Sequence, residues 1–116
     1  MAESGWDFST RWLSDKSKIS SSYILDMIPS DLNTLMGILE SYLSVLASKF
    51  GRIDLLNYYS KLLADRREYF WSIPNKPYSF PDTIVSTNRS RPNRYPSDYY
   101  TFLLFPDHRP NLTNFN

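Results

Sequence analysis

Residues 29–51, PSDLNTLMGILESYLSVLASKFG, decide the fold. Pro29-Ser30-Asp31 marks a helix start, with Ser30 or Asp31 able to accept from the orphan backbone N–H groups of the first turn. Beyond it Leu32, Leu35, Met36, Leu39, Tyr42, Leu43, Leu46 and Phe50 recur at three- and four-residue spacing, which gathers them into one stripe on an α-helix. Gly51 then supplies the left-handed residue that ends it. A second helix follows at once: Ile53, Leu55, Leu56, Tyr59, Leu62, Leu63, Tyr69 and Phe70 keep the period. Asp54 stands near its start and Arg66 and Arg67 near its end, as the macrodipole favours, and it stops by Pro74. Two such helices joined around Gly51 form an antiparallel helical hairpin.

Outward from the hairpin the pattern fades on both sides. Residues 1–29 read as Ser-rich and largely irregular. After Trp71, seven of the eight prolines fall between Pro74 and Pro110, among Asn, Ser, Asp and aromatic residues. Only Thr83–Ser86 and Tyr99–Phe105 suit short extended or helical runs, and the tail holds too few aliphatic residues for a core of its own. The division that follows is residues 1–72 as the organised part and residues 73–116 as a loop-rich segment. A lone hairpin leaves an apolar stripe on each helix with one partner to cover it, so the chain is expected to be one piece of a larger helical stack.

At 116 residues the chain suffices for one small domain at most, and its net charge of +1 advertises no polyanionic partner. Arg89, Arg91 and Arg94 form a loose cluster in a Pro/Asn/Ser context, which reads as a solvated loop and not as a nucleic-acid surface. With no cysteine there is neither a disulfide scaffold nor a cysteine metal site, and no cofactor is implied. The single histidine, His108, lies in a proline-flanked loop and has no second ligand nearby, so no metal is expected. No signal peptide and no membrane-length apolar run is visible, which leaves the compartment open. Asn88-Arg-Ser90 and Asn111-Leu-Thr113 are glycosylation tripeptides and hint only weakly at secretion. Aromatic content is high at 16%, and Trp6, Trp12, Tyr23, Tyr58 and Tyr59 accompany polar residues, a composition that suits both sugar clefts and ordinary packing.

The candidate chemistry lies at the N-terminus. Glu3 and Asp7 are four residues apart and would share one helix face, and Asp7 sits between Trp6 and Phe8, where apolar neighbours would favour a protonated carboxyl. The competing assignment makes Glu3 a solvated surface residue and Asp7 a turn or cap residue beside Gly5. No Gly-x-Ser-x-Gly elbow and no Gly-rich phosphate loop occurs.

The run Glu3-Ser4-Gly5-Trp6-Asp7-Phe8-Ser9-Thr10-Arg11-Trp12 resembles the acid motif of the α,α-trehalases, inverting glycoside hydrolases with an (α/α)6 toroid. Ile28-Pro29-Ser30-Asp31-Leu32-Asn33 resembles that family's Val-Pro-Val-Asp-Leu-Asn, which likewise opens a long helix. The likeness covers roughly residues 2–72 and is faint beyond Trp71. It implies an all-α fold in which the hairpin is part of the toroid and the Pro-rich C-terminal segment is irregular.

It also implies roles for single residues. Asp7 matches the general acid that protonates the glycosidic oxygen of trehalose. Gly5 matches a glycine whose backbone approaches the sugar, with Trp6 and Phe8 as the apolar wall. Arg11, four residues past Asp7, either positions and tunes the acid or serves as a core ion pair. Asp31, Leu32 and Asn33 are assigned a structural part at the start of the helix. The family's Gln-Trp-Asp-x-Pro and Pro-Gly-Gly-Arg-Phe signatures, its substrate-clamping arginines and its glutamate base are not among these residues.

The leading expectation is therefore part of a trehalose-hydrolysing enzyme that is inactive alone, with Met1 standing where the family has chain upstream. Its parent is expected to be secreted or membrane-anchored. The alternative is a non-catalytic, trehalase-derived helical protein that meets a chaperone or another partner through uncovered apolar helix faces.

Overall fold

The computed structural model describes residues 9–72 and 79–105. The chain is mostly helical, as the two amphipathic patterns require. Helix α1 spans Ser30–Lys49 and helix α2 spans Ile53–Ser72. Gly51 between them has φ +66°, the left-handed conformation that costs an L-residue most and glycine least. Arg52 N–H closes the turn on the Ala47 carbonyl at 2.9 Å. The hairpin is further clamped across its middle by Arg66, which donates to Glu40 through Nε at 2.9 Å and Nη2 at 2.6 Å. Because α2 continues to Ser72, Arg66 lies well inside the helix and not in its last turn, so it serves this lateral pair and not the dipole.

Three short strands form an antiparallel sheet at one end of the hairpin. β1 is Met27–Ile28, β2 is Thr83–Ile84 and β3 is Arg89–Ser90, in the order β1-β2-β3. Met27 faces Ile84 and Ile28 faces Thr83, while Thr83 faces Ser90 and Ile84 faces Arg89. The turn between β2 and β3 places Asn88 at φ 49°, a conformation Asn tolerates. Ahead of β1 the Ser-rich segment is more ordered than its composition suggests. It holds 3-10 turns at Thr10–Trp12, Ile19–Ser21 and Ile24–Asp26.

The tail corrects the sequence reading most. Expected as a loop-rich segment with no core of its own, it contributes Phe80, Phe102, Leu104 and Phe105, which surround the fully buried Phe70 of α2, and its two expected short runs fall on β2 and on a 3-10 helix. The rings meet mainly edge to face: Phe70 and Phe80 at 5.7 Å and 78°, Phe80 and Phe102 at 5.2 Å and 68°. These are the spacings aromatic quadrupoles favour. Aromatics thus replace the missing aliphatic residues. Residues Pro96–Leu104 form a 3-10 helix, with Pro96 at its first position and Asp98 Oδ2 accepting from Tyr95 N–H at 3.0 Å. It crosses α1 so closely that a Cβ on Gly37 would stand 2.9 Å from a Leu104 methyl.

Helix α1 is turned opposite to its apolar pattern. Its buried residues are Ser30, Thr34, Gly37, Glu40 and Ala47. Its apolar stripe lies outward, with Leu35 62%, Tyr42 67% and Phe50 78% exposed. Small and polar residues face α2 and the 3-10 helix because they permit close approach and hydrogen bonds, such as Thr34 Oγ1 to Thr101 Oγ1 at 2.9 Å. Nothing among the described residues covers the stripe, which is the geometry of one layer of a larger helical assembly. Among the described residues no helix is long and apolar enough to cross a membrane.

Candidate active site and its ionic support

The residues that carry the expected chemistry, Gly5, Trp6, Asp7 and Phe8 together with Glu3, lie outside the described residues, as do His108 and Asn111. The described structure takes up the motif at Ser9. Ser9 Oγ accepts from the backbone N–H of Arg11 at 3.2 Å and caps the turn Thr10–Trp12. Trp12 is buried, and its carbonyl accepts from Tyr23 N–H at 3.0 Å. Thr10 Oγ1 shares a 2.8 Å hydrogen bond with the Tyr95 hydroxyl.

Arg11 is the centre of this region. Its Nη1 and Nη2 donate to the two oxygens of Asp31 at 2.7 and 2.8 Å. Its Nε and Nη2 donate to Asp82 at 2.6 and 2.5 Å. The guanidinium also lies over the Trp12 ring, 4.3 Å from its centroid. Of the two parts expected for Arg11, the core ion pair is present. Burial disfavours its charge, but the hydrogen bonds to Asp82 and then Asp31 outweigh that cost and hold its pKa above the ordinary arginine value.

Asp82 was not singled out by sequence, and it is the most connected carboxylate of the described residues. It is fully buried. Besides Arg11 it accepts from Ser30 N–H at 2.9 Å, Ser30 Oγ at 3.2 Å and Arg91 Nε at 2.9 Å. The start of α1 is therefore capped from two sides: Asp82 of the tail accepts from Ser30 N–H, and Asp31, as the sequence suggests, accepts from Leu32 N–H at 2.9 Å, while Pro29 at the cap position has no side-chain acceptor. Burial pushes the Asp82 carboxyl up, but the hydrogen bonds from Arg11 and Ser30 and the charges of Arg11 and Arg91 pull harder, leaving it below the usual carboxylate range.

Arg91 overturns the solvated-loop expectation. It is buried, lies 4.4 Å over the Tyr95 ring, and bridges Asp82 to Asp98, donating to Asp98 Oδ1 at 2.6 Å. Its neighbour Arg89 is exposed, and Arg94, also exposed, reaches Ser79 Oγ. Asp98 is fully buried as well, and here burial wins: its pKa stands above the usual range despite the Tyr95 N–H and Arg91. Two guanidinium groups thus face three carboxylates, Asp31, Asp82 and Asp98, in one nearly dry cluster.

Chemically this cluster is built to hold and not to react. Its carboxylates are engaged by arginine forks and backbone N–H groups, which is the state that fixes orientation. Among the described residues no group of His, Cys, Asp and Glu is arranged to hold a metal ion. An open cleft of about 280 Å³ between α1 and α2 is lined by Ile28, Asn33, Leu62, Asp65, Arg66 and Tyr69. Its polar groups already have partners, Arg66 with Glu40 and Asn33, Asp65 with Lys61, and Tyr69 with Thr83.

Comparison with known proteins gives the family. The trehalase family profile matches residues 1–100, which takes in the hairpin, the small sheet and the residues of the ionic cluster. The chain belongs to the trehalase family. The match reaches past Trp71, where motif resemblance alone was faint, and takes in Asp82, Arg91 and Asp98. Over 60 residues the chain is 38% identical to a trehalase from Dictyostelium discoideum, a span of 50% of this chain and 10% of that relative.

Proposed function

We propose that this chain is one segment of the catalytic domain of an α,α-trehalase, and that in the complete enzyme Asp7 is the general acid for hydrolysis of trehalose to two glucose molecules. The family match across the acid motif is the observation that carries this reading. As trehalose is cleaved, Asp7 donates its proton to the glycosidic oxygen, while Gly5 lets the backbone approach the sugar and Trp6 and Phe8 exclude water around the carboxyl.

Inversion needs a second carboxylate that activates water from the opposite face, with the two carboxyl groups about 6.5–9.5 Å apart. Glu40 cannot serve, since Arg66 engages both its oxygens. Glu68 lies exposed on α2. The base is therefore assigned to chain outside these 116 residues, and the chain alone is inactive. The test is glucose release from trehalose by the purified 116-residue chain and by the full-length polypeptide that carries it, with and without Asp7→Asn. The chain alone is expected to release none, and Asp7→Asn to lower the full-length rate by about 100-fold or more. Turnover by the isolated chain, or an undiminished Asp7→Asn enzyme, would overturn the proposal.

The outward apolar face of α1 supports a second reading, a non-catalytic helical module that binds a partner through Leu35, Tyr42 and Phe50. The genomic sequence on either side separates the two. Flanking codons for Pro-Gly-Gly-Arg upstream and Gln-Trp-Asp downstream favour the enzyme, and their absence favours the module.

A further inference from the structure

We propose that Asp82, braced by Arg91, is a positioning residue: it fixes Arg11 against the start of α1 and, through Arg11, orients Asp7 for proton transfer. The proposal rests on the reading of Asp7 as general acid.

Asp82 joins three stretches that are remote from one another in sequence: the turn Thr10–Trp12 that ends the acid motif, the first residue of α1, and Arg91 just past β3. The turn itself has little internal support. Its own backbone bonds, Trp12 N–H to Ser9 O at 3.2 Å and Leu13 N–H to Thr10 O at 3.3 Å, are long. The contacts that hold it to the rest of the molecule are shorter, and the shortest are those of Arg11 to Asp82.

A cluster of this kind is a poor way to gain stability, because hydrophobic residues of the same volume commonly do as well or better than a buried ion network. What arginine forks provide is fixed orientation. Orientation is what an acid needs: a misplacement of about 1 Å costs roughly 100-fold in rate. Asp7 is four residues from Arg11, so an error at Arg11 is passed along a very short tether.

The test uses the full-length polypeptide and two substrates, trehalose and α-glucosyl fluoride. Fluoride departs without protonation, so its release does not depend on the acid. Asp82→Asn is expected to lower kcat on trehalose by about 10- to 100-fold, leave KM within about twofold, and change turnover of the fluoride by less than about threefold. Equal losses on both substrates would assign Asp82 to folding alone and overturn the proposal, as would no loss on either. Should Asp82→Asn be recovered unfolded by circular dichroism, Arg91→Lys is scored on the same criteria, and if neither variant folds the role is structural and the proposal falls. Asp7→Asn is the companion measurement. If it spares trehalose hydrolysis, the reading of Asp7 fails. If it abolishes trehalose hydrolysis while Asp82→Asn does not discriminate between the substrates, only the positioning role fails.

Discussion

Arg11 and Asp82 stand 71 residues apart in sequence and meet through two parallel hydrogen bonds, Nε to Oδ2 at 2.6 Å and Nη2 to Oδ1 at 2.5 Å. Removing the carboxylate strands two buried guanidinium groups on their remaining partners and takes one cap from α1. Asp82→Ala is therefore expected to lower the unfolding free energy of the full-length polypeptide by about 3–5 kcal/mol in urea denaturation. A loss below about 1 kcal/mol, the range of a surface pair, would contradict the burial described here.

The two buried aspartates respond to acid in opposite directions. Asp98 has a raised pKa, so the folded state binds its proton first. Stability rises as pH falls through that value and stops rising near the ordinary aspartate value of about 3.9. Asp82 has a depressed pKa. Its contribution is complete above about 3.9 and is lost as pH falls further, through the folded value. Urea midpoints measured from neutral pH downward should show Asp98→Asn missing the first rise, while Asp82→Asn shows a weaker acid collapse. Identical profiles for both variants and the parent protein would rule out this assignment.

Glu40 offers a separate check on which carboxylates are spare. With both oxygens on Arg66, Glu40→Gln exchanges a charge-assisted pair for neutral bonds and is expected to cost about 1–3 kcal/mol. Its kcat on trehalose should stay within about threefold of the parent, since a base requires a free lone pair directed at water. A loss of about 1000-fold would instead make Glu40 the base.

The outward stripe of α1 should behave differently in the isolated chain and in the full-length polypeptide. Leu35 and Leu39 are 62% and 48% exposed here. Leu35→Lys with Leu39→Lys is expected to reduce self-association of the isolated chain, read by sedimentation. In the full-length polypeptide the same pair is expected to cost about 2–5 kcal/mol per residue if the stripe packs there against a further helical layer, as the proposed function requires. Equal solubility and unaltered stability would mean that this face stays open to water in both.

What could be read in advance follows the range of the interactions. The hairpin was legible because its signals are local: periodic Leu and Tyr residues, Gly51 at a left-handed turn, and proline after Ser72. The facing of α1 was not, because periodicity identifies an apolar stripe without saying that its cover comes from elsewhere, while Thr34, Gly37 and Glu40 take the inner face. The tail core was missed because Phe80, Phe102 and Phe105 follow no period and are gathered only by the sheet and the 3-10 helix. Arg91 was misassigned since its Pro/Asn/Ser neighbours describe a loop and say nothing of Asp82 and Asp98. One local hint existed: Phe80-Pro81-Asp82-Thr83-Ile84 sets a carboxylate inside an apolar run, where it needs a partner. The ionic cluster around Arg11 was not legible, because three separate stretches build it.

The span between Arg11 and Asp82 also bears on synthesis. A ribosome extends a chain by about 5–20 residues per second, so the carboxylate emerges roughly 4–14 seconds after the guanidinium it must meet. During that interval both helices can form and pair through Arg66 and Glu40, while the turn Thr10–Trp12 has Asp31 and Tyr23 within reach but not yet Asp82. A nascent chain that stops at the end of α2 would thus carry a complete hairpin and an unfinished anchor, which closes only once the segment holding Asp82 and Arg91 has emerged.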